Sequence, residues 1–163
     1  SFGLDYDNYI GSLLQSNKFQ YNWNDFFIYQ RLKPQLDIGN FPIKTHKLFD
    51  ILFLELDNIF SLTKPSLLHG DLWNGNFIST SDQVFLIDPA IYYGNREMDI
   101  AMAKLFGGFV KEFYDAYNYH YPLVKKWETR LDICNLYPLL VHANLFGGNY
   151  YNQIHSILKS VTQ

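Results

Sequence analysis

The sequence has few of the features that mark secreted or membrane proteins. Its 163 residues contain a single cysteine, Cys134, so no internal disulfide can form, and a reducing compartment fits this composition. The most apolar run, residues 139–146, is interrupted by His142 and Asn144 and is far too short to span a bilayer. We therefore expect a cytoplasmic protein with no membrane anchor, in which Cys134 is a small apolar core residue.

Charge of either sign is also sparse. Lys and Arg total 13 against 16 Asp and Glu, which gives a formal net charge of -3 and a pI of about 5.9. Such a chain has no basic surface suited to a phosphate backbone or an anionic membrane. Nucleic acid and membranes are therefore not expected partners, and the histidines do not occur at the spacing of zinc ligands.

What the chain does contain is apolar and aromatic residues, at 48% and 18% of the sequence. That content is typical of a globular protein, so we expect residues 1–163 to form one compact domain. Ser1 rather than Met opens the chain, and no charged and then apolar leader follows. We therefore expect a chain that was processed or shortened at its N-terminus.

The spacing of apolar residues predicts a mainly helical domain with a small β-hairpin insert, an α+β fold. The first 20 residues predict a loop or short hairpin. A helix is predicted after the N-cap Asn22, until Pro34 and Gly39 interrupt it. A longer helix follows Pro42. Short strands are predicted at residues 66–69, 77–79 and 84–87. Further helices are predicted at residues 98–106, 109–119, 123–146 and 150–161.

Three polar residues, Asp71, Asn76 and Asp88, are the most informative about function. Phosphoryl transfer to a hydroxyl needs a carboxylate that accepts or orients the proton, and oxygen ligands that hold Mg²⁺ against nucleotide phosphates. An Asp, an Asn five residues later and an Asp after a hairpin supply all three. A loop after the strand at 66–69 would present Asp71 so that Asn76 faces back toward it, and the hairpin would return Asp88 nearby.

The same residues match a known pattern. The spacing from His69 to Asp71 and on to Asn76 is that of the protein-kinase catalytic loop, and Asp88 stands where the metal-binding aspartate of the DFG element does. Three segments of the chain resemble the signature of the fructosamine kinases: residues 67–76 (LLHGDLWNGN), 86–102 (LIDPAIYYGNREMDIAM) and 105–109 (LFGGF). The resemblance extends over most of the chain up to about residue 109.

This resemblance implies a fold and an activity. Fructosamine kinases use MgATP to phosphorylate the sugar of ketosamine adducts on amines and proteins. The implied fold is the C-terminal, catalytic lobe of a protein-kinase-like domain over residues 1–163. Aminoglycoside phosphotransferases and choline kinases are similar more distantly, and share that fold.

The resemblance also implies roles for the three polar residues. Asp71 would be the catalytic base or hydroxyl-orienting carboxylate, and Asn76 and Asp88 would be ligands of Mg²⁺. The alternatives from local chemistry are an Asx turn or cap for Asp71, a turn residue for Asn76 and a strand-terminal cap for Asp88.

Two further residues would support the catalytic loop. His69 would hold neighbouring backbone in place rather than act as a base, and Asp99 would accept hydrogen bonds from the loop. The alternative for Asp99 is a solvated acid near a helix N-terminus, where the helix dipole favours it.

Three apolar residues are candidates for ligand contact. Trp73 could be an aromatic platform for the sugar, or equally a packing tryptophan. Ile78 and Ile87 would form the apolar floor under adenine, although strand core explains both equally well.

The small lobe of kinase-like enzymes has no counterpart in these residues. No Gly-rich loop, strand lysine or helix glutamate precedes the motifs, so we expect a nucleotide-binding lobe to be missing in cis. The isolated chain should then bind ATP weakly and be nearly inactive. The alternatives are an aminoglycoside or choline kinase relative, and a non-catalytic binding lobe.

Overall fold

The computed structural model describes residues 1–60 and 63–162, and it has the mixed helical and small-sheet architecture expected of an α+β protein. The α-helices are α1 (Trp23–Phe26), α2 (Lys33–Ile38), α3 (Ile43–Ile59), α4 (Glu97–Phe106), α5 (Lys111–His120), α6 (Leu131–Phe146) and α7 (Tyr150–Thr162). The strands are β1 (Asn8–Ile10), β2 (Leu13–Gln15), β3 (Ser66–Leu68), β4 (Phe77–Ser79), β5 (Val84–Leu86) and β6 (Tyr92–Gly94).

The N-terminal segment forms a short hairpin, as its composition allowed. Strands β1 and β2 are antiparallel, and Asn8 lies opposite Gln15. Gly11 occupies the turn with a φ of 57°, a left-handed conformation that glycine adopts without a steric penalty. An isolated bridge between Gly3 and Tyr93 attaches this end of the chain to β6.

The first helical region is longer than its proline suggested. The side chain of Asn22 accepts a hydrogen bond from the Asp25 backbone N–H at 2.8 Å, so Asn22 is the N-cap, as expected. The interruption expected at Pro34 is wrong, since a π-helical turn joins α1 to α2. The interruption expected at Gly39 is confirmed, because α2 ends at Ile38. Pro34 lies in the first turn of α2, where the N–H that proline lacks is least needed.

Helix α6 is the centre of the hydrophobic core. Residues 133–141 are all buried, and α2, α4 and α7 pack around the helix. A helix that is apolar on every side is typical of such a central position. Cys134 is fully buried in it, as expected.

Helix α6 starts later than the sequence predicted. The residue Lys126 has a φ of 63°, a left-handed conformation that breaks a helix, and a 3₁₀ turn at Trp127–Arg130 follows it. The regular helix therefore begins at Leu131 rather than at Leu123.

Two small sheets frame the segment that carries the motifs. Strand β3 pairs with β6, and the hairpin of β4 and β5 is inserted between these partners along the chain. The sequence did not predict β6, because three residues are too few to show an alternating pattern. Pairing of β3 with β6 closes the base of the loop, and α4 follows β6 almost directly.

Among residues 1–60 and 63–162, no helix is both long enough and apolar enough to cross a membrane.

Candidate active site

The loop that follows β3 lies tightly against the chain that follows Asp88. The backbone N–H of Ala90 donates to the carbonyl oxygen of His69 at 2.8 Å. Gly70 has a φ of 79°, and a Cβ at this position would overlap the carbonyl oxygen of Ala90. Only glycine allows this close approach, so Gly70 holds the two segments in register.

Asn76 is turned back toward Asp71. Its side-chain nitrogen donates to the backbone oxygen and to Oδ2 of Asp71, both at 2.9 Å. Asn76 is buried, and its own N–H donates to the carbonyl of Trp73 at 3.0 Å within the short 3₁₀ turn Asn74–Asn76. Because the amide nitrogen is used by Asp71, the amide oxygen is the atom that could ligate a cation.

His69 connects Asp71 with the residue before Asp88. Its Nδ1 accepts from the N–H of Asp71 at 3.3 Å, and its Nε2 lies 3.0 Å from the carbonyl oxygen of Ile87. A backbone N–H only donates and a carbonyl only accepts, so the ring carries its proton on Nε2. Both ring nitrogens are thereby used to hold the backbone.

Asp88 is exposed and has a φ of 50°, an uncommon conformation outside glycine. Its strand is held to the loop by a hydrogen bond from the Ile87 N–H to the Asn76 carbonyl at 3.0 Å. The carboxylate of Asp88 lies close enough to Asp71 for its charge to raise the pKa of Asp71. The backbone hydrogen bonds of Ile87 and Ala90 therefore bring the segment that carries Asp88 to the loop that carries Asp71 and Asn76.

The environment of Asp71 favours its protonated form. Burial is the largest cause of a raised pKa, and the charge of Asp88 acts in the same direction. The hydrogen bond from Asn76 and the nearby rings of His69 and His142 oppose this by lowering the pKa. A carboxylate with a raised pKa beside a cleft is a candidate proton acceptor.

Asp99 attaches the loop to α4. Its Oδ2 accepts from the His69 N–H at 2.8 Å, and its Oδ1 accepts from the Gly70 N–H at 2.9 Å. Burial raises the pKa of Asp99, while these two hydrogen bonds lower it. Both carboxylate oxygens are therefore directed at the loop.

A cavity of about 200 Å³ opens beside Asp71. Trp73 lies at its edge, 39% exposed and edge-on to Phe106, with ring centroids 6.5 Å apart. The rings of His142 and Phe106 stack with their centroids 4.5 Å apart. The lining is otherwise apolar and comprises Ile10, Gly11, Gly70, Met102, Tyr137, Pro138, Val141, Leu145 and Phe146.

Comparison with known proteins assigns the chain to a family. The sequence profile described as Fructosamine kinase matches residues 1–163. The chain belongs to the fructosamine kinase family. The resemblance drawn from the segments 67–76, 86–102 and 105–109 is thereby confirmed.

Several relatives support membership of the fructosamine kinase family. The chain is 44% identical to "Probable ketoamine kinase" of Vibrio parahaemolyticus, over 98% of this chain and 56% of that protein. It is 35% identical to mouse "Ketosamine-3-kinase", over 99% of this chain and 54% of that protein. A crystal structure described as a candidate fructosamine-3-kinase from Thermobifida fusca superimposes with a TM-score of 0.89 at 36% identity, over 98% of this chain and 59% of that one. The chain thus spans little more than half the length of these relatives.

The hairpin of this fructosamine kinase family member is exposed rather than packed. Ile78 is 50% exposed and Ile87 is only partly buried, so the strand-core interpretation of Ile78 is wrong. The exposed apolar side chains of the hairpin are Ile78, Val84, Phe85 and Leu86. An apolar surface is therefore available where adenine contact was expected.

The donor atoms fit Mg²⁺ better than a transition metal. The described part of this fructosamine kinase family member has no group of three or more His, Cys, Asp or Glu arranged for a metal ion. Asn76 and Asp88 offer two oxygen ligands, and Mg²⁺ in nucleotide sites commonly takes one or two protein ligands and fills its shell with phosphate and water.

Sequence reasoning missed the cavity. Phe106, Tyr137 and His142 line it and lie on α4 and α6, far along the chain from Asp71. The spacing of the histidines in the sequence argues only against a zinc site and does not indicate that His142 lines a cavity. The one available signal was a histidine inside an apolar helix, which by itself is more often a core residue. Helix packing brings these residues to Asp71.

Proposed function

We propose that the protein containing these residues transfers the γ-phosphoryl group of ATP to a sugar hydroxyl of ketosamines, with residues 1–163 forming the catalytic lobe of a kinase-like fold. The observation that carries this proposal is the paired hydrogen bond from Asn76 to Asp71, with His69 joining Asp71 to Ile87, the residue before Asp88. Membership of the fructosamine kinase family supports the same reaction.

Each polar residue has a role in this reaction. Asp71 orients the acceptor hydroxyl and receives its proton, because its raised pKa makes it a better proton acceptor than an exposed aspartate. The amide oxygen of Asn76 and the carboxylate of Asp88 would hold Mg²⁺, which when bound offsets charge on the transferred phosphoryl group. His69 and Asp99 keep the loop in position.

The cavity beside Asp71 suits a ketosamine as the acceptor. Trp73 and Phe106 offer aromatic faces to the C–H groups of a sugar, and His142 offers a polar edge. Among the described residues that line the cavity, Asp71 is the single carboxylate, whereas a polycationic aminoglycoside would call for several acids. The cavity therefore favours the ketosamine over the aminoglycoside alternative.

The test is an ADP-release assay on the full-length protein with a small fructosamine, free fructose, choline and an aminoglycoside as acceptors. We expect turnover with the fructosamine, and a loss in kcat of about 10²-fold to 10⁴-fold for Asp71→Asn. Asp82→Asn is the matched control, because it makes the same chemical change at an exposed residue between β4 and β5.

Each result has a clear meaning. Wild-type kcat in Asp71→Asn would contradict the proposed role of Asp71. Preference for choline or an aminoglycoside would reassign the acceptor, and no turnover with any acceptor would favour a non-catalytic lobe.

A further inference from the structure

Gln15, at the end of β2, is a buried amide that joins three parts of the site. Its Nε2 donates to the carbonyl oxygen of Ala90 at 3.1 Å and to Oδ1 of Asn8 at 2.8 Å. Its Oε1 accepts from the hydroxyl of Tyr137 at 2.7 Å, and Tyr137 lines the cavity beside Asp71. Gln15 is 1% exposed, so these bonds form without competition from water.

Asn8 makes a similar contact with Ile91, the residue that follows Ala90. Asn8 and Gln15 are cross-strand partners in the hairpin, so their side chains share one face of it. The Nδ2 of Asn8 donates to the carbonyl oxygen of Ile91 at 2.8 Å. The hairpin thus offers two neighbouring amides to two successive carbonyls, those of Ala90 and Ile91.

The orientation of the Gln15 amide is set by its partners. The carbonyl of Ala90 can only accept, so the nitrogen of Gln15 must face it and the oxygen must face Tyr137. Burial raises the pKa of Tyr137 to about 12, so its hydroxyl keeps the proton that it donates.

The peptide of Ala90 transmits this contact to the candidate catalytic residues. Its N–H donates a hydrogen bond to the carbonyl oxygen of His69. Its carbonyl oxygen lies where a Cβ on residue 70 would be, a position that is free because residue 70 is glycine. Asp88 is two residues earlier, and Pro89 between them has a φ restricted by its ring. A shift at Ala90 would therefore move Asp88 relative to Asp71.

We propose that Gln15 is a positioning residue, which sets Asp88 at its distance from Asp71 and couples that distance to the Tyr137 wall of the cavity. This inference rests on the proposed function for the metal role of Asp88. It gives the N-terminal hairpin, which carries none of the kinase-like motifs, a part in the reaction.

The test compares variants of the full-length protein. Gln15→Met keeps the length of the side chain and removes its three hydrogen bonds, to Asn8, Ala90 and Tyr137. Ser16→Ala is the matched control. Ser16 bonds Gln30 at 2.7 Å rather than the segment at 90–91. Binding of Mn²⁺ in the presence of ADP is measured from the EPR signal of free Mn²⁺, beside kcat, KM for ATP and thermal unfolding.

For Gln15→Met we expect Mn²⁺ affinity to fall about 10-fold or more, in line with other residues that orient metal ligands. Ser16→Ala should lose some thermal stability and keep wild-type Mn²⁺ affinity. Tyr137→Phe, which removes only the hydroxyl, should weaken Mn²⁺ binding less than Gln15→Met.

Unchanged Mn²⁺ affinity in a folded Gln15→Met protein overturns the inference, and so does an equal loss in Ser16→Ala, which would indicate hairpin stability alone. If Gln15→Met does not fold, unchanged affinity in Tyr137→Phe overturns it. Weakened Mn²⁺ binding in Gln15→Met, together with a wild type that phosphorylates no ketosamine, would uphold the positioning role and reject only the proposed function.

Discussion

Asp71 combines a candidate chemical role with an unfavourable electrostatic environment. Its carboxylate is partly buried, near Asp88, and receives a side-chain hydrogen bond from Asn76. An ordinary structural aspartate would be expected to gain more partners than this. The raised pKa is what a proton acceptor needs, and it has a consequence for stability.

Asp71→Asn should therefore be at least as stable as the wild type at pH 7. A folded-state pKa above the ordinary value favours the protonated carboxyl, so the stabilisation is complete at low pH and is lost as the pH rises through the raised pKa. An amide does not titrate, so the advantage of the variant should shrink as the pH falls to about 4. Urea unfolding at both pH values measures it, and an advantage that grows toward pH 4 would contradict the sign.

At the scale of elements, an ion pair between a buried glutamate and a partly buried arginine joins α4 to the turn that precedes α6. Arg130 donates from Nε and Nη2 to the carboxylate of Glu97, at 2.7 and 2.6 Å. The two side chains are 12% and 3% exposed, and the hydrogen bonds to Glu97 raise the pKa of Arg130. The pair thereby holds the start of α4, which also carries Asp99.

Arg130→Met should destabilise the protein by about 3 kcal/mol or more, because it leaves the carboxylate of Glu97 buried without a partner. The double variant with Glu97→Gln should recover part of this loss, since the uncompensated charge is then absent. Denaturant unfolding of the two variants and the wild type measures the coupling, and no recovery in the double variant would contradict this explanation.

The loop after β3 approaches Ala90 so closely that residue 70 has no room for a side chain. Gly70→Ala should lower both stability and kcat strongly, because its Cβ would overlap the Ala90 carbonyl and its φ is 79°. Gly147 has a φ of 64°, and apart from its chain neighbours and the adjacent helix backbone no atom of the described residues lies within 4 Å of the position that its Cβ would take. Gly147→Ala should therefore cost less than Gly70→Ala, about 1–3 kcal/mol, from its backbone conformation alone. Thermal unfolding and kcat of both variants separate the two effects, and equal losses would contradict the role of the overlap.

At the scale of the whole molecule, these residues present an apolar surface around the candidate nucleotide site. Ile78, Phe85 and Leu86 are each about half exposed, on the hairpin of β4 and β5 that leads to Asp88. The chain spans little more than half the length of its relatives, and we propose that a second lobe of the full-length protein supplies further contacts to the nucleotide.

Residues 1–163 alone should therefore bind MgATP at least 10-fold more weakly than the full-length protein, because phosphate contacts from a second lobe would each add about 1.5–3 kcal/mol as charge-assisted hydrogen bonds. Isothermal titration of both proteins with MgATP measures this difference. Equal affinities would show that the second lobe is not needed for binding.

Much of the local structure was predictable because its causes are local. The spacing of Asp71 and Asn76 predicted that Asn76 faces Asp71, and its nitrogen lies 2.9 Å from Oδ2. The N-cap at Asn22 and the hairpin that precedes Asp88 likewise depend on neighbouring residues. The continuation of the helix through Pro34 was not predicted, because a π-helical turn has no clear sequence signal.

Residue order and spacing were thus sufficient for the family and the α+β class, while the roles of Asp71, Asn76 and Asp88 stay predictions. Tertiary contacts decided the rest: the β3–β6 pair, the cavity formed with α4 and α6, and the link from Gln15 to Ala90. The physical reason is chain separation, because a contact between residues 75 positions apart depends on how whole elements pack, and no short pattern encodes that packing.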